Sequence, residues 1–373
     1  MEHLSGLNPP QRILLGPGPS NVHPRVYRAL ATPIVGHLDP EFLKIMDRVQ
    51  EQLRAVFQTQ NSFTIAVSGT GSAGMEAAFV NVVEPGDTVI VGVNGVFGNR
   101  MVDIVTRCGA NVIKLEKPWG ESIDVGQIEE ALKRNGNVKA VALVHAETST
   151  GVLQPLKGVG ELCEKQGALF IVDAVTSLGG VPVNVDDWKI DVCYSGTQKC
   201  LSCPPGLAPI TFSERALQVV KNRRTKIQSW YLDITMLMNY WSDKSRAYHH
   251  TAPISMNYAI YEALNLVLVE GLEKRFDRHR RNSTHLFSGF EKLGLHPFVR
   301  ENIRLPTLNA VKIPENVNDA AVRKTLLNDY NIEIGGGLGD LAGKIWRIGL
   351  MGESSTQANI VYLLYALEQI LTR

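Results

Sequence analysis

The chain has little of several features that would assign it to a special class. Its 373 residues include five cysteines, an odd and scattered number that favours reduced thiols in the cytoplasm over a disulfide framework. The 38 basic and 37 acidic residues nearly cancel, without the basic clusters of a nucleic-acid surface. No apolar run reaches the roughly 18 residues of a membrane span, and neither terminus resembles a secretory or peroxisomal address. We therefore expect a cytoplasmic globular protein.

The middle of the chain alternates short apolar runs with amphipathic stretches of helical length. Candidate strands cover 63–67, 88–93, 111–115, 140–144, 169–172, 192–194 and 208–212. Candidate helices cover 72–83, 99–108, 125–133 and 156–166. Continuously apolar strands separated by helices predict an α/β fold, with a mainly parallel sheet covered by helices on both faces. Ligands bind beyond the carboxyl ends of the strands in such sheets.

The pattern changes near both ends of the chain. A proline-rich arm, residues 1–25, precedes a predicted large domain of residues 26–270. The segment 271–373 predicts a smaller α+β domain, after a long helical pattern at 256–269. Its elements are helices at 276–293, 320–330 and 357–371, and strands at 309–313 and 344–350.

Two predicted strands end in a reactive side chain. The strand 168–172 is followed by Asp173, and the strand that begins at Asp191 leads through a Ser-Gly-Thr-Gln turn to Lys199. Pyridoxal phosphate requires an amine for its aldehyde and an acid for its pyridine nitrogen, so this pair predicts that cofactor. Taken singly, Lys199 could be a surface lysine and Asp173 a helix N-cap.

The segment 68–74, Ser-Gly-Thr-Gly-Ser-Ala-Gly, follows a strand and opens a helix. Such a turn presents free N–H groups to a phosphate. It also fits the dinucleotide fingerprint G-x-G-x-x-G, but the next strand ends at Asn94 without the acid that a ribose needs. A plain tight turn is the third interpretation.

Three other features have competing interpretations. Arg347, in an otherwise apolar strand, either binds a substrate carboxylate in a cleft or lies at an exposed sheet edge. Cys200 and Cys203 form a single C-x-x-C, a weak zinc or redox signal, and no metal site is predicted. The sequence Tyr-His-His-Thr at 248–251 predicts a polar, hydrogen-bonding loop.

Eight segments, in this order, resemble the class V aminotransferases of the fold-type-I pyridoxal-phosphate superfamily, and most closely their alanine–glyoxylate and serine–pyruvate aminotransferase group. They are residues 15–21, 68–71, 93–98, 147–155, 172–180, 194–199, 248–251 and 346–350. The resemblance covers nearly the whole chain. It implies the fold-type-I architecture of a large domain with a mainly parallel sheet plus a smaller α+β C-terminal domain.

The resemblance implies that Lys199 holds pyridoxal 5′-phosphate as a Schiff base and that Asp173 pairs with the pyridinium nitrogen. Val175 would pack under the ring, and Phe97 would stack on its other face, where close relatives often have Trp. Thr148 would reach the ring hydroxyl, where relatives often have Ser.

The resemblance also implies which residues bind the phosphate and the substrate. The phosphate would be held by Thr70, Gly71, Ser72 (commonly His in relatives) and Gln198. Tyr248 and Thr251 would reach the phosphate of the neighbouring subunit, which implies a homodimer with shared active sites. Arg347 would bind the α-carboxylate of the substrate.

The implied activity is transamination between alanine or serine and glyoxylate or pyruvate, with alanine–glyoxylate aminotransferase favoured. Serine–glyoxylate and serine–pyruvate activities are alternatives, as are a phosphonate aminotransferase, a lyase or a desulfurase of the same fold. From other classes, a nicotinamide-dependent oxidoreductase and a cofactor-free assembly protein stay open. A desulfurase needs a cysteine on a mobile loop, whereas the cysteines here lie in predicted strands, a helix or a proline-flanked turn.

Overall fold

The computed structural model describes residues 6–242 and 246–372. Its strands are β1 (Ile13–Leu15), β2 (Phe63–Ser68), β3 (Thr88–Val93), β4 (Asn111–Glu116), β5 (Val138–Val144), β6 (Ala146–Glu147), β7 (Val152–Leu153), β8 (Leu169–Asp173), β9 (Val192–Tyr194), β10 (Leu207–Phe212), β11 (Leu308–Lys312), β12 (Ile332–Gly336) and β13 (Ile345–Gly349). Its α-helices are α1 (Pro24–Leu30), α2 (Pro40–Phe57), α3 (Gly71–Val82), α4 (Val96–Arg107), α5 (Val125–Arg134), α6 (Val159–Lys165), α7 (Glu214–Lys221), α8 (Ile234–Tyr240), α9 (Ile254–Glu270), α10 (Leu272–Lys292), α11 (Asp319–Asp329) and α12 (Gln357–Leu371).

The larger sheet has seven strands in the order β2-β10-β9-β8-β5-β3-β4. All of its pairings are parallel except those of β10, which runs antiparallel to both β2 and β9. Every residue of β8 is buried, as expected for a strand covered on both faces by helices. The predicted α/β fold with a mainly parallel sheet is therefore confirmed.

A second sheet has the order β1-β12-β13-β11. Strand β1 belongs to the predicted N-terminal arm, yet it pairs in parallel with β12. A separate hydrophobic cluster surrounds this sheet, in which Leu15 packs with residues of α10, α11 and α12. The arm is therefore part of the second sheet. The domain boundaries near residues 25 and 270 stay predictions.

Helix ends follow local sequence signals. Helix α2 begins at Pro40, and the side chain of Asp39 caps it by accepting a hydrogen bond from the N–H of Glu41. Helix α12 begins after Thr356, whose hydroxyl accepts from the N–H of Asn359. Within residues 6–242 and 246–372, no helix is long and apolar enough to cross a membrane.

Candidate active site

The predicted site residues lie mostly at the carboxyl edge of the larger sheet. Asp173 is the last residue of β8, and Lys199 follows β9 after a short turn. The loops after β2 and β3 open helices α3 and α4, which bring in Thr70–Ser72 and Phe97. Thr148 follows β6 at the same edge. The loops that follow β2, β3, β5, β8 and β9, which run in the same direction within the larger sheet, thus meet at one edge, and the loop after β5 contains β6 and Thr148.

Lys199 is buried, with 9% of its surface exposed. Its Nζ donates a hydrogen bond to the carbonyl of Pro17 in the N-terminal arm. Burial lowers the pKa of Lys199 to about 8. A lysine with a lowered pKa is neutral more often, and the neutral amine is both a nucleophile and a proton acceptor.

Asp173 is buried beneath the same edge. Its Oδ1 accepts a hydrogen bond from the N–H of Val175 at 2.8 Å, and its Oδ2 accepts one from the Tyr194 hydroxyl at 3.0 Å. Burial raises the pKa of Asp173 to about 7, although both hydrogen bonds and the positive charge of Lys199 act in the opposite direction. A cation beside this carboxylate would favour its ionised form further.

The start of α3 forms a cradle, which we define as Thr70, Gly71, Ser72 and Gln198. A Cβ at Gly71 would lie 3.2 Å from Cγ2 of Val175 and 3.7 Å from the carbonyl of Ser195, so glycine allows the helix to begin close to these loops. No side chain caps the helix at Thr70. The Oε1 atom of Gln198 is buried and has no hydrogen-bond partner among the described residues. The uncapped N–H groups at the start of α3 and the close approach allowed by Gly71 suit a phosphate group, to which the amide nitrogen of Gln198, not its oxygen, would donate.

The side chains predicted to face the cofactor ring lie next to the cradle and to Asp173. Val175 and Phe97 are half-buried, and Val175 follows Asp173 by two residues. Thr148 is buried, and its hydroxyl shares a 2.6 Å hydrogen bond with the hydroxyl of Thr176. The structure therefore brings these three predicted residues to one edge of the sheet.

Arg347 lies on β13, between β12 and β11, so the exposed-edge interpretation is wrong. Its Nε donates to the carbonyl of Gly336 at 2.7 Å, and its Nη1 donates to the carbonyl of Thr148 at 3.1 Å. Burial lowers the pKa of Arg347 to about 10, against the negative charge of Glu147. Among the described residues no carboxylate lies within 4.0 Å of it. Its remaining N–H groups can bind a ligand carboxylate.

Tyr248 and Thr251 differ from the other predicted residues because both are exposed. Tyr248 is 62% exposed, and its ring centre lies 5.3 Å from that of His37. His250, which lies between Tyr248 and Thr251 in the sequence, forms a hydrogen bond of 2.7 Å between its Nε2 and the hydroxyl of Ser68, beside the cradle. In the parts of the chain that are described, no hydrogen bond joins Tyr248 or Thr251 to the cradle of their own subunit.

The five cysteines are buried and free of disulfides. Burial raises the pKa of the Cys200 thiol to about 11, and it raises the pKa of Cys203 further. No group of three or more potential metal ligands is present in the described ranges 6–242 and 246–372. Buried thiols with raised pKa are poor nucleophiles, which counts against a desulfurase.

Three supporting residues have no assigned role in the sequence predictions. Tyr194 binds Asp173, as described above, and Pro17 accepts from Lys199. Glu147, which is buried, accepts from the N–H of Phe97 at 3.2 Å and from the Ser149 hydroxyl at 2.5 Å. A glutamate directly after an apolar strand is a signal that could have identified Glu147, whereas Tyr194 and Pro17 have no local signal.

The fold and the site define an aminotransferase, and the chain matches the family model of the class V aminotransferases over residues 24–345. It therefore belongs to that family, and the predicted fold-type-I architecture is confirmed by its structural neighbours. The crystal structure of the alanine–glyoxylate aminotransferase from Nostoc sp. is similar, with a TM-score of 0.97 and 52% identity, covering 100% of this chain and 98% of that one.

Two curated relatives are similar over nearly their whole length. The (S)-ureidoglycine–glyoxylate transaminase of Bacillus subtilis is 44% identical over 382 residues, which cover 98% of this chain and 91% of that protein. The alanine–glyoxylate aminotransferase of Rattus norvegicus is 44% identical over 368 residues, covering 98% and 89% respectively.

Proposed function

We propose that this aminotransferase uses pyridoxal 5′-phosphate to transfer the amino group of alanine to glyoxylate. Serine as donor and pyruvate as acceptor are the alternatives. The observation that carries the proposal is that a buried amine, a buried acid and a buried guanidinium lie at one site, since the charges of Asp173 and Arg347 both act on the pKa of Lys199. The names of the relatives from Nostoc sp. and Rattus norvegicus support the choice of substrates.

The residues present fit this cofactor. The uncapped N–H groups at the start of α3 and the close backbone approach at Gly71 suit its phosphate. Phe97 and Val175 would cover the two faces of its ring, and Thr148 would reach the ring hydroxyl. When bound, pyridoxal phosphate supplies an aldehyde for amines and a ring that withdraws electrons from the Cα of the substrate.

The chain's own groups would bind the substrate and move its protons. Arg347 would hold the α-carboxylate through its free N–H groups, so that the Cα–H bond faces Lys199. The neutral Nζ of Lys199 would then take the proton from Cα and return it at the other end of the transfer. Asp173, as a carboxylate, would keep a proton on the pyridine nitrogen by electrostatic attraction.

The substrate side chain is proposed to be small and uncharged because, among the described residues, no buried arginine other than Arg347 is without a carboxylate partner. Arg347 and Arg275 are the buried arginines in the described residues. Arg275 is already paired with Glu270, and it donates to the carbonyls of Gly179 and Cys200. A dicarboxylate donor would need another arginine for its side chain.

The decisive experiment is a substrate panel on the purified protein. Alanine is offered with glyoxylate, whereas serine, ureidoglycine and aspartate are each offered with glyoxylate and with pyruvate, and the products are separated and quantified. We expect alanine with glyoxylate to give the highest kcat/KM. A clear preference for ureidoglycine would instead place the chain with its Bacillus subtilis relative, and a preference for aspartate would contradict the assignment of Arg347 as the sole anchor. A purified protein that is colourless and is not altered by borohydride would contradict the proposal that the protein binds pyridoxal 5′-phosphate.

We also propose a homodimer in which Tyr248 and Thr251 reach the phosphate of the partner subunit. Their exposure, together with that of Trp230 at 61%, places polar and aromatic groups on an open surface near the cradle. Mixed dimers of Lys199→Ala and Tyr248→Ala chains test this arrangement. Recovery of part of the activity on mixing is expected, and a mixture as inactive as its parents would contradict a shared site.

The proposed location is the cytoplasm. Five buried, unpaired thiols are typical of a protein that folds in a reducing compartment. Fractionation of the cells that produce the protein, with detection by antibody, tests this location.

A further inference from the structure

Arg100 belongs to α4, and its side chain reaches the start of α3 beside the cradle. It follows Phe97 by three residues on α4, so both side chains project from one face of the helix. Its guanidinium carbon lies 4.8 Å from the centre of the Phe97 ring, within the range of a cation–π contact. Its Nη1 donates to the hydroxyl of Ser72, in the first turn of α3, at 3.3 Å. The two contacts direct the charge of Arg100 toward the start of α3.

This guanidinium has no anionic partner in residues 6–242 and 246–372, where no carboxylate lies within 4.0 Å of it. Arg107, seven residues further along α4, shows the contrasting arrangement, since it pairs with Asp103 at 2.9 Å. The charge of Arg100 is therefore available to a ligand, whereas the charge of Arg107 is used within its own helix.

The cradle itself contains no charged side chain, because its members are Thr70, Gly71, Ser72 and Gln198. A phosphate monoester has a charge near −2 at neutral pH, and the N–H groups of a helix N-terminus offset only part of it. Of the cationic side chains described, Arg100 is the one that hydrogen-bonds to a cradle residue. Arginine is well suited to phosphate because its planar fork matches the phosphate oxygens.

We propose that Arg100 is a further phosphate-binding residue, which supplies positive charge to the phosphate of the cofactor. The proposal deepens the proposed function and depends on it. Arg100 exchanges its weak bond to Ser72 for bonds to the phosphate, while the Phe97 ring limits the positions that the guanidinium can take. Arg100 thereby contributes to the affinity for the phosphorylated cofactor and has little effect on affinity for the ring.

The test compares the binding of pyridoxal 5′-phosphate with that of pyridoxal, which lacks the phosphate. Dissociation constants are measured by fluorescence on cofactor-free wild-type protein, Arg100→Gln and Arg100→Lys. Because the site is partly open to solvent, we expect Arg100→Gln to weaken pyridoxal 5′-phosphate by about 5- to 30-fold. Pyridoxal binding should change less than about twofold. Arg100→Lys should recover part of the loss, and raising the salt concentration should reduce the difference between wild type and Arg100→Gln.

Arg107→Gln is the matched control, because it removes a charge from the same helix without touching the cradle. Its affinity for both ligands should equal that of the wild type. If Arg100→Gln weakens both ligands equally, Arg100 acts through the Phe97 ring and the phosphate assignment is wrong. If neither affinity changes, the inference fails while the proposed function stands. A wild-type protein that binds neither ligand overturns the proposed function and this inference with it.

Discussion

Replacing Lys199 by Met should stabilise the cofactor-free protein at neutral pH, although it removes the amine needed for transamination. Lys199 is buried among groups that do not neutralise it fully, and its pKa is lowered from 10.5 to about 8. The charged form of the amine is therefore less stable in the folded protein than in the unfolded chain. Met has a similar length and no charge, so it should occupy the same space without this cost.

The expected magnitude follows from the pKa difference. One unit of pKa corresponds to about 1.4 kcal/mol, so keeping Lys199 charged in the folded state costs about 3 kcal/mol at pH 7. The variant also leaves the carbonyl of Pro17 without its donor, which costs about 1 kcal/mol. We expect a net gain in the free energy of unfolding of about 2 kcal/mol.

The gain in the free energy of unfolding should depend on pH. Because the folded pKa lies below the unfolded one, the cost of Lys199 is complete below about pH 8 and disappears as the pH rises toward 10.5. Urea unfolding of cofactor-free wild type and Lys199→Met at pH 7 and at pH 10 measures this difference. The gain should be clear at pH 7 and close to zero at pH 10. Lys312→Met, at the exposed end of β11, is the control and should change stability little at either pH. An equal gain at both pH values would refute the electrostatic reasoning and would indicate a simple packing effect.

Three further variants test the site. Arg347→Lys keeps a charge but loses the planar fork, so kcat/KM for alanine should fall by about 10- to 100-fold. The kcat/KM for an amine without a carboxylate should stay the same. Equal losses for alanine and for this amine would contradict carboxylate binding by Arg347. Tyr194→Phe removes a hydrogen bond that favours ionised Asp173, so the pKa of Asp173 should rise. The pH below which the protein loses affinity for the cofactor should then move up by at most roughly one unit. If cofactor affinity depends on pH as it does in the wild type, Tyr194 does not support the ionised form of Asp173. Glu147→Gln should lower the free energy of unfolding by about 1–2 kcal/mol in urea titrations, because both carboxylate oxygens accept hydrogen bonds and the amide replaces one of these acceptors by a donor. No loss would show that one of these hydrogen bonds is dispensable.

The carboxyl edge of the larger sheet could be predicted because the strands that form it are apolar throughout. Continuous runs such as those of β5 and β8 show where a buried strand ends, and the next polar residue then lies at the edge. This reasoning places Asp173, Lys199 and the start of α3 close together. It relies only on local hydrophobicity and on the right-handed crossovers of parallel sheets.

Other parts of the structure have no comparable local signal. Strand β1 has three residues, and its partner β12 ends in glycines, so neither forms a readable apolar pattern. Helix α2 is not among the predicted helices, although its start at Asp39 and Pro40 fits the rules for helix starts. The bond from Tyr194 to Asp173 joins two neighbouring strands, and only the strand order of the sheet reveals it.

The site contains several buried ionisable groups that have no oppositely charged partner in the described part of the chain. Lys199, Asp173 and Arg347 are all buried, yet none of them forms a salt bridge within 4.0 Å in the described residues. By contrast, the buried Arg275 is paired with Glu270, which shows that this fold can neutralise a buried charge where no ligand is needed. Unpaired buried charges reduce stability unless a ligand compensates them. Asp173 ends one strand of the larger sheet and Lys199 follows another, whereas Arg347 lies on the second sheet, and a ligand with both anionic and cationic parts is the natural means of compensating all three.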